Sequence, residues 1–221
     1  MEPRFAATVD GNLISRVNLL QFIRAFLRAS DMGQGFYIEF GVLNGASMIE
    51  AWGILRGLLT HIYGFDSFFG LPKLSEDDLK SKNLMPSFDQ GNFSSMSCKR
   101  VQETIIASTY GLDPALLTLI EGLYEESLPL FDISSLKDQG PCLVVHVDCD
   151  LYSSSLDVFH FIESVATTGT WLLLDDYWCY RGSPNHGQRR AFEEWLVTSR
   201  FGATAYTPYG GFCQSFILYE K

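Results

Sequence analysis

Two short apolar runs, residues 142–147 and 171–174, each lead directly into closely spaced aspartates. Runs that are apolar throughout are typical of strands buried on both faces, as in parallel sheets covered by helices. In such sheets the ligand crevice lies at the carboxyl ends of the strands. The four aspartates that follow these runs are Asp148, Asp150, Asp175 and Asp176. If the two strands are neighbours, the pattern predicts an α/β sheet with up to four carboxylates at one edge of its crevice.

Carboxylates held this close disfavour one another's ionised form, so each raises the pKa of the others unless a cation lies among them. The pattern therefore predicts a hard divalent cation with oxygen ligands, such as Mg²⁺. The alternative that the residues leave open is that these aspartates cap helices or lie in solvated loops.

Composition excludes several classes of function. A chain of 221 residues with 47% hydrophobic residues suits one globular domain. A net charge of -10 argues against a nucleic-acid partner, because phosphate binding depends on Lys and Arg. We expect no membrane partner, since no run approaches a spanning length and residues 1–10 hold no apolar leader. The five scattered cysteines, without a Cys-x-x-Cys pair, predict reduced thiols in a cytoplasmic protein.

The spacing of apolar residues predicts alternating strands and helices. A helix capped by Ser15 precedes a strand at residues 36–40, a glycine turn at 41–45 and a second helix. The next strand, residues 61–65, ends at Asp66. We therefore divide the chain into an N-terminal helical extension, residues 1–35, and one α/β domain, residues 36–221.

The second half of the chain continues the alternation and ends differently. Residues 67–97 are polar and broken by Pro and Gly, which predicts a lid or insertion. Serines 153–155 are predicted to cap the helix that follows the first aspartate pair. Residues 203–219 alternate around a Pro-Tyr-Gly-Gly turn, as in an antiparallel hairpin. Five β-α units closed by this hairpin predict a Rossmann-like parallel sheet with one antiparallel strand at its edge.

The turn after the first strand favours one class of cosubstrate. Gly41 and Gly45 allow a ligand to approach the backbone closely. A dinucleotide fingerprint needs glycine where Glu39 stands, and that carboxylate would repel a pyrophosphate. An acid here suits a ligand with a positive group, such as the amino or sulfonium end of S-adenosylmethionine. Asp66, at the tip of the second strand, is placed to accept hydrogen bonds from ribose hydroxyls.

These residues resemble the macrocin O-methyltransferase group of class I S-adenosylmethionine-dependent methyltransferases. The segments that carry the resemblance are Glu39-Phe40-Gly41-Val42, Gly45-Ala46-Ser47, Gly64-Phe65-Asp66-Ser67-Phe68-Phe69-Gly70-Leu71-Pro72, Glu121-Gly122-Leu123-Tyr124, Ser127-Leu128-Pro129, His146-Val147-Asp148-Cys149-Asp150-Leu151-Tyr152 and Asp175-Asp176-Tyr177. The resemblance implies a mostly parallel seven-stranded sheet with helices on both faces. It also implies S-adenosylmethionine as cosubstrate and Mg²⁺-dependent O-methylation, typically of a sugar hydroxyl on a glycosylated natural product.

The resemblance also implies roles for individual residues. The implied cosubstrate-binding residues are Glu39, Gly41, Gly45, Asp66, Ser67, Gly122 and Leu123, the last two near adenine. The implied metal ligands are Asp148, Asp175 and Asp176. Asp150, two residues beyond Asp148, is expected on the other side of an extended segment, where it would act as general base. The residues leave open that Asp150 instead caps the next helix, and they place His186 as a second candidate for catalysis or substrate contact.

We therefore expect a metal-dependent O-methyltransferase acting on a sugar or glycoside. A vicinal diol could chelate the ion, so methylation of a catechol-like or other small-molecule diol is the alternative. The expected partner is a small-molecule or glycan acceptor, and the sequence leaves a homo-oligomer open.

Overall fold

The computed structural model describes residues 8, 9 and 12–221; the remainder of the predicted N-terminal extension, residues 1–7, 10 and 11, lies outside them. Two short antiparallel strands, β1 (Thr8–Val9) and β2 (Asn12–Leu13), precede the main sheet. The strands of the main sheet are β3 (Gly35–Phe40), β4 (Leu59–Asp66), β5 (Leu117–Glu121), β6 (Cys142–Val147), β7 (Trp171–Leu174), β8 (Phe201–Tyr209) and β9 (Cys213–Glu220). The α-helices are α1 (Arg16–Ala29), α2 (Ala46–Leu55), α3 (Glu76–Ser81), α4 (Cys98–Ser108), α5 (Tyr124–Leu130), α6 (Tyr152–Val165) and α7 (Gly187–Thr198). Among the described residues, no helix is both long and apolar enough to cross a bilayer.

The seven strands follow the order β5-β4-β3-β6-β7-β9-β8. The first five of these pair in parallel, and β9 is antiparallel to both of its neighbours. The predicted mostly parallel sheet with a C-terminal hairpin is confirmed. The expectation that the antiparallel strand forms the edge is wrong, because β9 lies inside the sheet and β8 forms the edge. Burial explains why β8 and not β9 forms the edge: the middle of β8 is exposed, whereas Gln214, Ser215 and Phe216 of β9 are buried.

Helices cover both faces of the sheet. Ile38 of β3 points to the face covered by α6 and α7, where it packs with Phe159 and Phe192. Tyr37 points to the opposite face, which is covered by α1, α2 and α4. This alternation follows from the two-residue repeat of a strand. The predicted cap of α1 is confirmed, since Asn18 N donates to Ser15 Oγ at 3.2 Å, and α1 packs into the same core as the strands that follow it.

Residues 67–97 pack against the ends of the strands through α3 and its flanking loops. Leu74 and Phe88 of this segment share an apolar cluster with Leu151 and Tyr180. Its Asp78 is almost fully buried, and its carboxylate lies against the first turn of α6.

The predicted cap of α6 by serines 153–155 is wrong. The helix already begins at Tyr152, so these serines lie inside its first turn. The carboxylate of Asp78 is the acceptor that caps the N-terminus of α6. Tyr152 N donates to its Oδ1 at 2.9 Å and Ser153 Oγ donates to its Oδ2 at 2.7 Å. Ser75 N also donates to Asp78 Oδ2, at 3.2 Å, so one carboxylate caps α6 and closes the capping box of α3.

Replacing Asp78 tests this link. We expect Asp78→Ala to lower the free energy of unfolding by about 1–3 kcal/mol, because it leaves buried N–H and hydroxyl donors without an acceptor. Urea unfolding followed by circular dichroism measures the change. Glu76→Ala, which removes an exposed carboxylate from the same helix turn, is the control. Equal stability of the two variants would contradict the role assigned to Asp78.

Candidate active site

The aspartates that follow β6 and β7 meet because these strands are parallel neighbours, with Val147 opposite Leu174. Carboxylate oxygens of Asp148, Asp150 and Asp176 lie within 4.8 Å of one another. Ligand atoms of His146, Asp148 and Asp175 form a second group within the same distance. The predicted meeting of the four carboxylates at the carboxyl ends of these two strands is confirmed, and Asp148 belongs to both groups.

The expectation that Asp150 lies on the other side of an extended segment from Asp148 is wrong. Asp150 has a φ of +61°, a left-handed conformation that Asp tolerates better than most residues. The chain therefore turns at this residue, and its carboxylate joins that of Asp148. Asp150 N donates to Asp176 Oδ2 at 2.9 Å, and its carbonyl oxygen accepts a hydrogen bond from Tyr180 Oη at 3.0 Å. Asp150 does not cap α6, whose first amides turn to Asp78.

Three of the four carboxyl groups have surroundings that favour the neutral, protonated form. Burial, followed by the charges of Asp176 and Asp175, raises the pKa of Asp148 well above its usual value. Burial and the charges of Asp150 and Asp175 do the same to the pKa of Asp176. Burial and the charge of Asp148 raise the pKa of Asp150 to about 8. A divalent cation with oxygen ligands would relieve this crowding, so the donor set fits Mg²⁺.

Asp175 has a different environment. Its Oδ1 accepts hydrogen bonds from Tyr209 Oη at 2.5 Å and from His146 Nε2 at 2.9 Å, and Arg16 Nη1 lies 3.8 Å from its Oδ2. Burial alone would raise the pKa of Asp175, but the charge and hydrogen bond of His146, with Tyr209 and Arg16, lower it to about 2. Asp175 is therefore ionised at neutral pH.

Glu39 lies on the far side of His146 from Asp175. Its Oε1 accepts a hydrogen bond from Ser47 Oγ and its Oε2 accepts one from Tyr37 Oη. His146 Nδ1 lies 3.3 Å from the same Oε2. Burial opposes the charged imidazolium, but Asp175 and Glu39 outweigh it and raise the pKa of His146 well above its usual value. His146 is therefore a fully buried histidine held between two carboxylates.

A cavity of about 360 Å³ lies at the carboxyl ends of β3, β4, β5 and β6, within the size range of small-molecule sites. The predicted site residues that line it are Gly41, Asp66, Ser67, Gly122, Leu123, Asp148 and Asp150. The predicted site residues placed outside its lining are Glu39, Gly45, Asp175, Asp176 and His186. Residues 70–73 and Phe93 of the inserted segment also line the cavity. The insertion therefore forms one of its walls.

The two glycines of the turn have different reasons to be glycine. Gly41 has a φ of +91°, and a Cβ there would lie 1.7 Å from the carbonyl oxygen of Asp148. Gly45 has a φ of +80°, and a Cβ there would lie 2.4 Å from Cγ1 of Ile105 on α4. Gly41 thus permits the glycine turn to contact the aspartate segment, whereas Gly45 permits α2 to pack against α4.

Asp66 organises the loops at the cavity. Its Oδ2 accepts hydrogen bonds from Val42 N at 2.7 Å and Leu43 N at 2.8 Å, and its Oδ1 accepts one from Phe68 N at 2.6 Å. One carboxylate therefore ties the glycine turn to the start of the inserted segment. Contact between Asp66 and ribose hydroxyls stays a prediction.

Sequence reasoning missed Gln188, which is fully buried. Its Oε1 accepts a hydrogen bond from Asp176 N and its Nε2 donates to Val147 O, each at 3.0 Å. It thereby joins the ends of β6 and β7 beside the carboxylates. A signal was present, because Gln188 precedes Ala191, Phe192 and Trp195 at helical spacing and so falls on the buried stripe of α7.

His186 lies at the N-cap position of α7. Its Nδ1 is 2.7 Å from Ser81 Oγ, and its ring stacks on Tyr180 with 6.4 Å between centroids. It thus connects α3 of the inserted segment to α7. Its role in catalysis or substrate contact stays a prediction.

Charge crowding at Asp150 predicts a pH-dependent stability of the metal-free protein. A carboxyl whose folded pKa is about 8, against an ordinary value of 3.8, stabilises the fold most below about pH 4 and loses that contribution as pH rises towards 8. In EDTA we therefore expect Tm to fall between about pH 5 and pH 8. We expect this fall to be smaller in Asp150→Asn, which cannot ionise and tolerates the same φ.

Differential scanning fluorimetry across this pH range measures the effect, with the exposed Asp138→Asn as control. At about pH 8 we expect Asp150→Asn, and not Asp138→Asn, to have a higher Tm than the unsubstituted protein. The same pH slope in all three proteins would show that the Asp150 carboxylate is not destabilised by its surroundings.

Comparison with known proteins finds similar O-methyltransferases. The chain is 27% identical over 181 residues to mycinamicin III 3''-O-methyltransferase of Micromonospora griseorubida, an alignment that covers 79% of this chain and 66% of that protein. It is 24% identical over 178 residues to 8-demethyl-8-(2,3-dimethoxy-alpha-L-rhamnosyl)-tetracenomycin-C 4'-O-methyltransferase of Streptomyces olivaceus, covering 79% of this chain and 64% of that protein. The alignments thus span just under two thirds of each relative's length.

The fold and the family are also shown by comparison. The structure of the O-methyltransferase NovP superimposes with a TM-score of 0.73 at 19% identity, covering 93% of this chain and 80% of that one. This match confirms the expected class I methyltransferase fold. The sequence model of the macrocin-O-methyltransferase (TylF) family matches residues 2–195. The chain therefore belongs to the macrocin-O-methyltransferase family.

Proposed function

We propose that this protein transfers a methyl group from S-adenosylmethionine to a hydroxyl of a sugar or glycoside, with a divalent cation at the acidic cluster. The observation that carries the proposal is one cavity lined by both the glycine turn and the aspartates after β6. Methyl donor and acceptor can meet there. Family membership supports the reaction, and the Streptomyces olivaceus relative is named for O-methylation of a rhamnosyl-tetracenomycin. The five free cysteines fit a cytoplasmic enzyme.

The cosubstrate would lie against the glycine turn. Gly41 and Asp66 line the cavity on this side, and Gly122 and Leu123 would border the adenine. The carboxylate of Glu39 is enclosed by protein donors. We therefore assign Glu39 to holding the turn, through Ser47 of α2, rather than to direct contact with the cosubstrate.

The reaction is an in-line displacement in which the acceptor oxygen bonds to the methyl carbon as the carbon–sulfur bond breaks. Much of the catalysis can therefore come from positioning. Asp148 would hold the ion together with Asp175 and Asp176, since a ligand atom of each lies within 4.8 Å of one on Asp148. When bound, the ion lowers the pKa of the acceptor hydroxyl. Asp150, which lines the cavity together with Asp148, would take the hydroxyl proton. Tyr180 and Asp176 hold the backbone of Asp150 in place for this role.

The cavity wall favours an uncharged or cationic acceptor. Glu125 and the partly buried Asp157 line it beyond the cosubstrate and metal candidates. Burial and the charge of Glu125 raise the pKa of Asp157. Lys73 is the one cationic side chain among the described residues that line the cavity. A phosphorylated acceptor such as a nucleotide sugar would be repelled here, whereas a neutral glycoside or an amino sugar would not.

Cosubstrate binding can be tested by calorimetry. We expect S-adenosylhomocysteine to bind and NAD not to bind. Asp66→Asn should weaken the binding of S-adenosylhomocysteine by about 10–100-fold, since hydrogen bonds to a charged group are lost. Glu121→Gln, at the end of the neighbouring strand and outside the cavity lining, is the control. Binding of NAD alone would refute the assignment of the cosubstrate.

The roles of the aspartates can be separated by kinetics. Asp148→Asn should weaken Mg²⁺ binding and recover rate when Mg²⁺ is added in excess. Asp150→Asn should keep Mg²⁺ affinity and lower kcat by about 10²–10⁴-fold without recovery, as expected for a lost general base. If excess Mg²⁺ restores Asp150→Asn, then Asp150 is a metal ligand and the base lies elsewhere.

The acceptor class can be assigned with a panel of neutral glycosides, amino glycosides, nucleotide sugars and catechols. Release of S-adenosylhomocysteine reports turnover with each compound. We expect methylation of glycosides that carry free vicinal hydroxyls. Turnover confined to catechols would overturn the acceptor assignment while leaving the methyltransferase chemistry in place, and turnover confined to nucleotide sugars would contradict the reading of the cavity charge.

A further inference from the structure

A line of buried polar side chains connects the glycine turn to the acidic cluster without lining the cavity. It runs from Ser47 through Glu39 and His146 to Asp175. We propose that His146 is a positioning residue that couples cosubstrate binding at the glycine turn to cation binding at the aspartates. This inference rests on the proposed function, since it assumes that both ligands bind.

The cation end of the line is Asp175. His146 Nε2 lies 2.9 Å from its Oδ1, and this oxygen also accepts a hydrogen bond from Tyr209. Asp175 directly precedes Asp176, whose carboxylate belongs to the group with Asp148 and Asp150. A shift of His146 would therefore move a carboxylate at the candidate metal centre.

The cosubstrate end is Glu39. His146 Nδ1 lies 3.3 Å from Glu39 Oε2 and 3.2 Å from Tyr37 Oη, which also contacts that carboxylate. The other oxygen of Glu39 accepts a hydrogen bond from Ser47 Oγ, in the first turn of α2 directly after the glycine turn. Any displacement of the turn by a ligand thus reaches Glu39 through Ser47.

Rigidity and burial make the two ends interdependent. Glu39 and His146 are fully buried, so a broken contact at either end is not replaced by water. The two nitrogens of His146 are fixed relative to each other by the planar imidazole ring. One ring therefore sets the position of both carboxylates, and ordering of one end by its ligand lowers the cost of ordering the other. Such linkage is reciprocal by thermodynamic necessity.

The test compares Mg²⁺ affinity with and without saturating S-adenosylhomocysteine by isothermal titration calorimetry. In the unsubstituted protein we expect the ligand to tighten Mg²⁺ binding about fivefold or more, the lower end of typical coupling. His146→Gln can place an amide N–H near Asp175 but has no group in place of Nδ1. The coupling ratio is the Mg²⁺ affinity with S-adenosylhomocysteine divided by the Mg²⁺ affinity without it. We expect His146→Gln to lower this ratio to about one.

Tyr209→Phe is the matched control, because it removes a hydrogen bond to Asp175 without touching Glu39. Tyr209→Phe should weaken Mg²⁺ binding both with and without S-adenosylhomocysteine, and so leave the ratio of the two affinities unchanged. Should His146→Gln fail to fold, Tyr37→Phe removes the hydroxyl at the Glu39 end with little change in shape, and it should lower the ratio.

Three results would overturn the inference alone. The ratio could be unchanged in the folded His146→Gln or Tyr37→Phe variant. Tyr209→Phe could lower it as much as His146→Gln does. Both ligands could also bind the unsubstituted protein independently, which would refute the coupling and leave the proposed function intact. Absence of S-adenosylhomocysteine or Mg²⁺ binding to the unsubstituted protein would instead contradict the proposed function, and the inference with it.

Discussion

The crowding of four carboxylates at the ends of β6 and β7 is the constraint around which the site is arranged. Each of these groups is largely removed from water, so each needs a compensating partner. Asp175 has one in His146 and Tyr209 and remains ionised. The pKa of Asp148 is instead raised by burial and by its neighbours. The cluster therefore combines one protein-compensated charge with charges that a cation would balance.

A second constraint joins this cluster to the cosubstrate side of the cavity. The strands β3 and β6 are neighbours in the sheet. Gly41 directly follows β3 and Asp148 directly follows β6, so the two residues lie side by side. Asp148 N donates to Phe40 O at 2.8 Å, and the space beside Gly41 is too small for a side chain. This close contact brings the proposed methyl donor and the proposed acceptor side together, which is the main requirement of an in-line transfer.

The inserted segment contributes to both stability and the site. Asp78 caps α6, Asp66 ties the segment to the glycine turn, and Phe93 lines the cavity. The wall of the cavity that this segment forms therefore depends on packing against α6, the helix that begins directly after the aspartates.

The sequence by itself determined the alternation of strands and helices, the aspartates that follow two buried strands and the glycine turn, since these follow from the length, periodicity and order of apolar runs. Only the tertiary structure decided that β6 and β7 are neighbours and that β9 lies inside the sheet. The sequence did not determine the direction of Asp150, which depends on a left-handed turn, or the cap of α6, which comes from Asp78. Only the tertiary structure decided that Glu39 is enclosed and that Gln188 joins two strand ends. The physical reason is that a local pattern specifies which faces are buried, whereas a buried polar group takes its partners from segments distant in the chain.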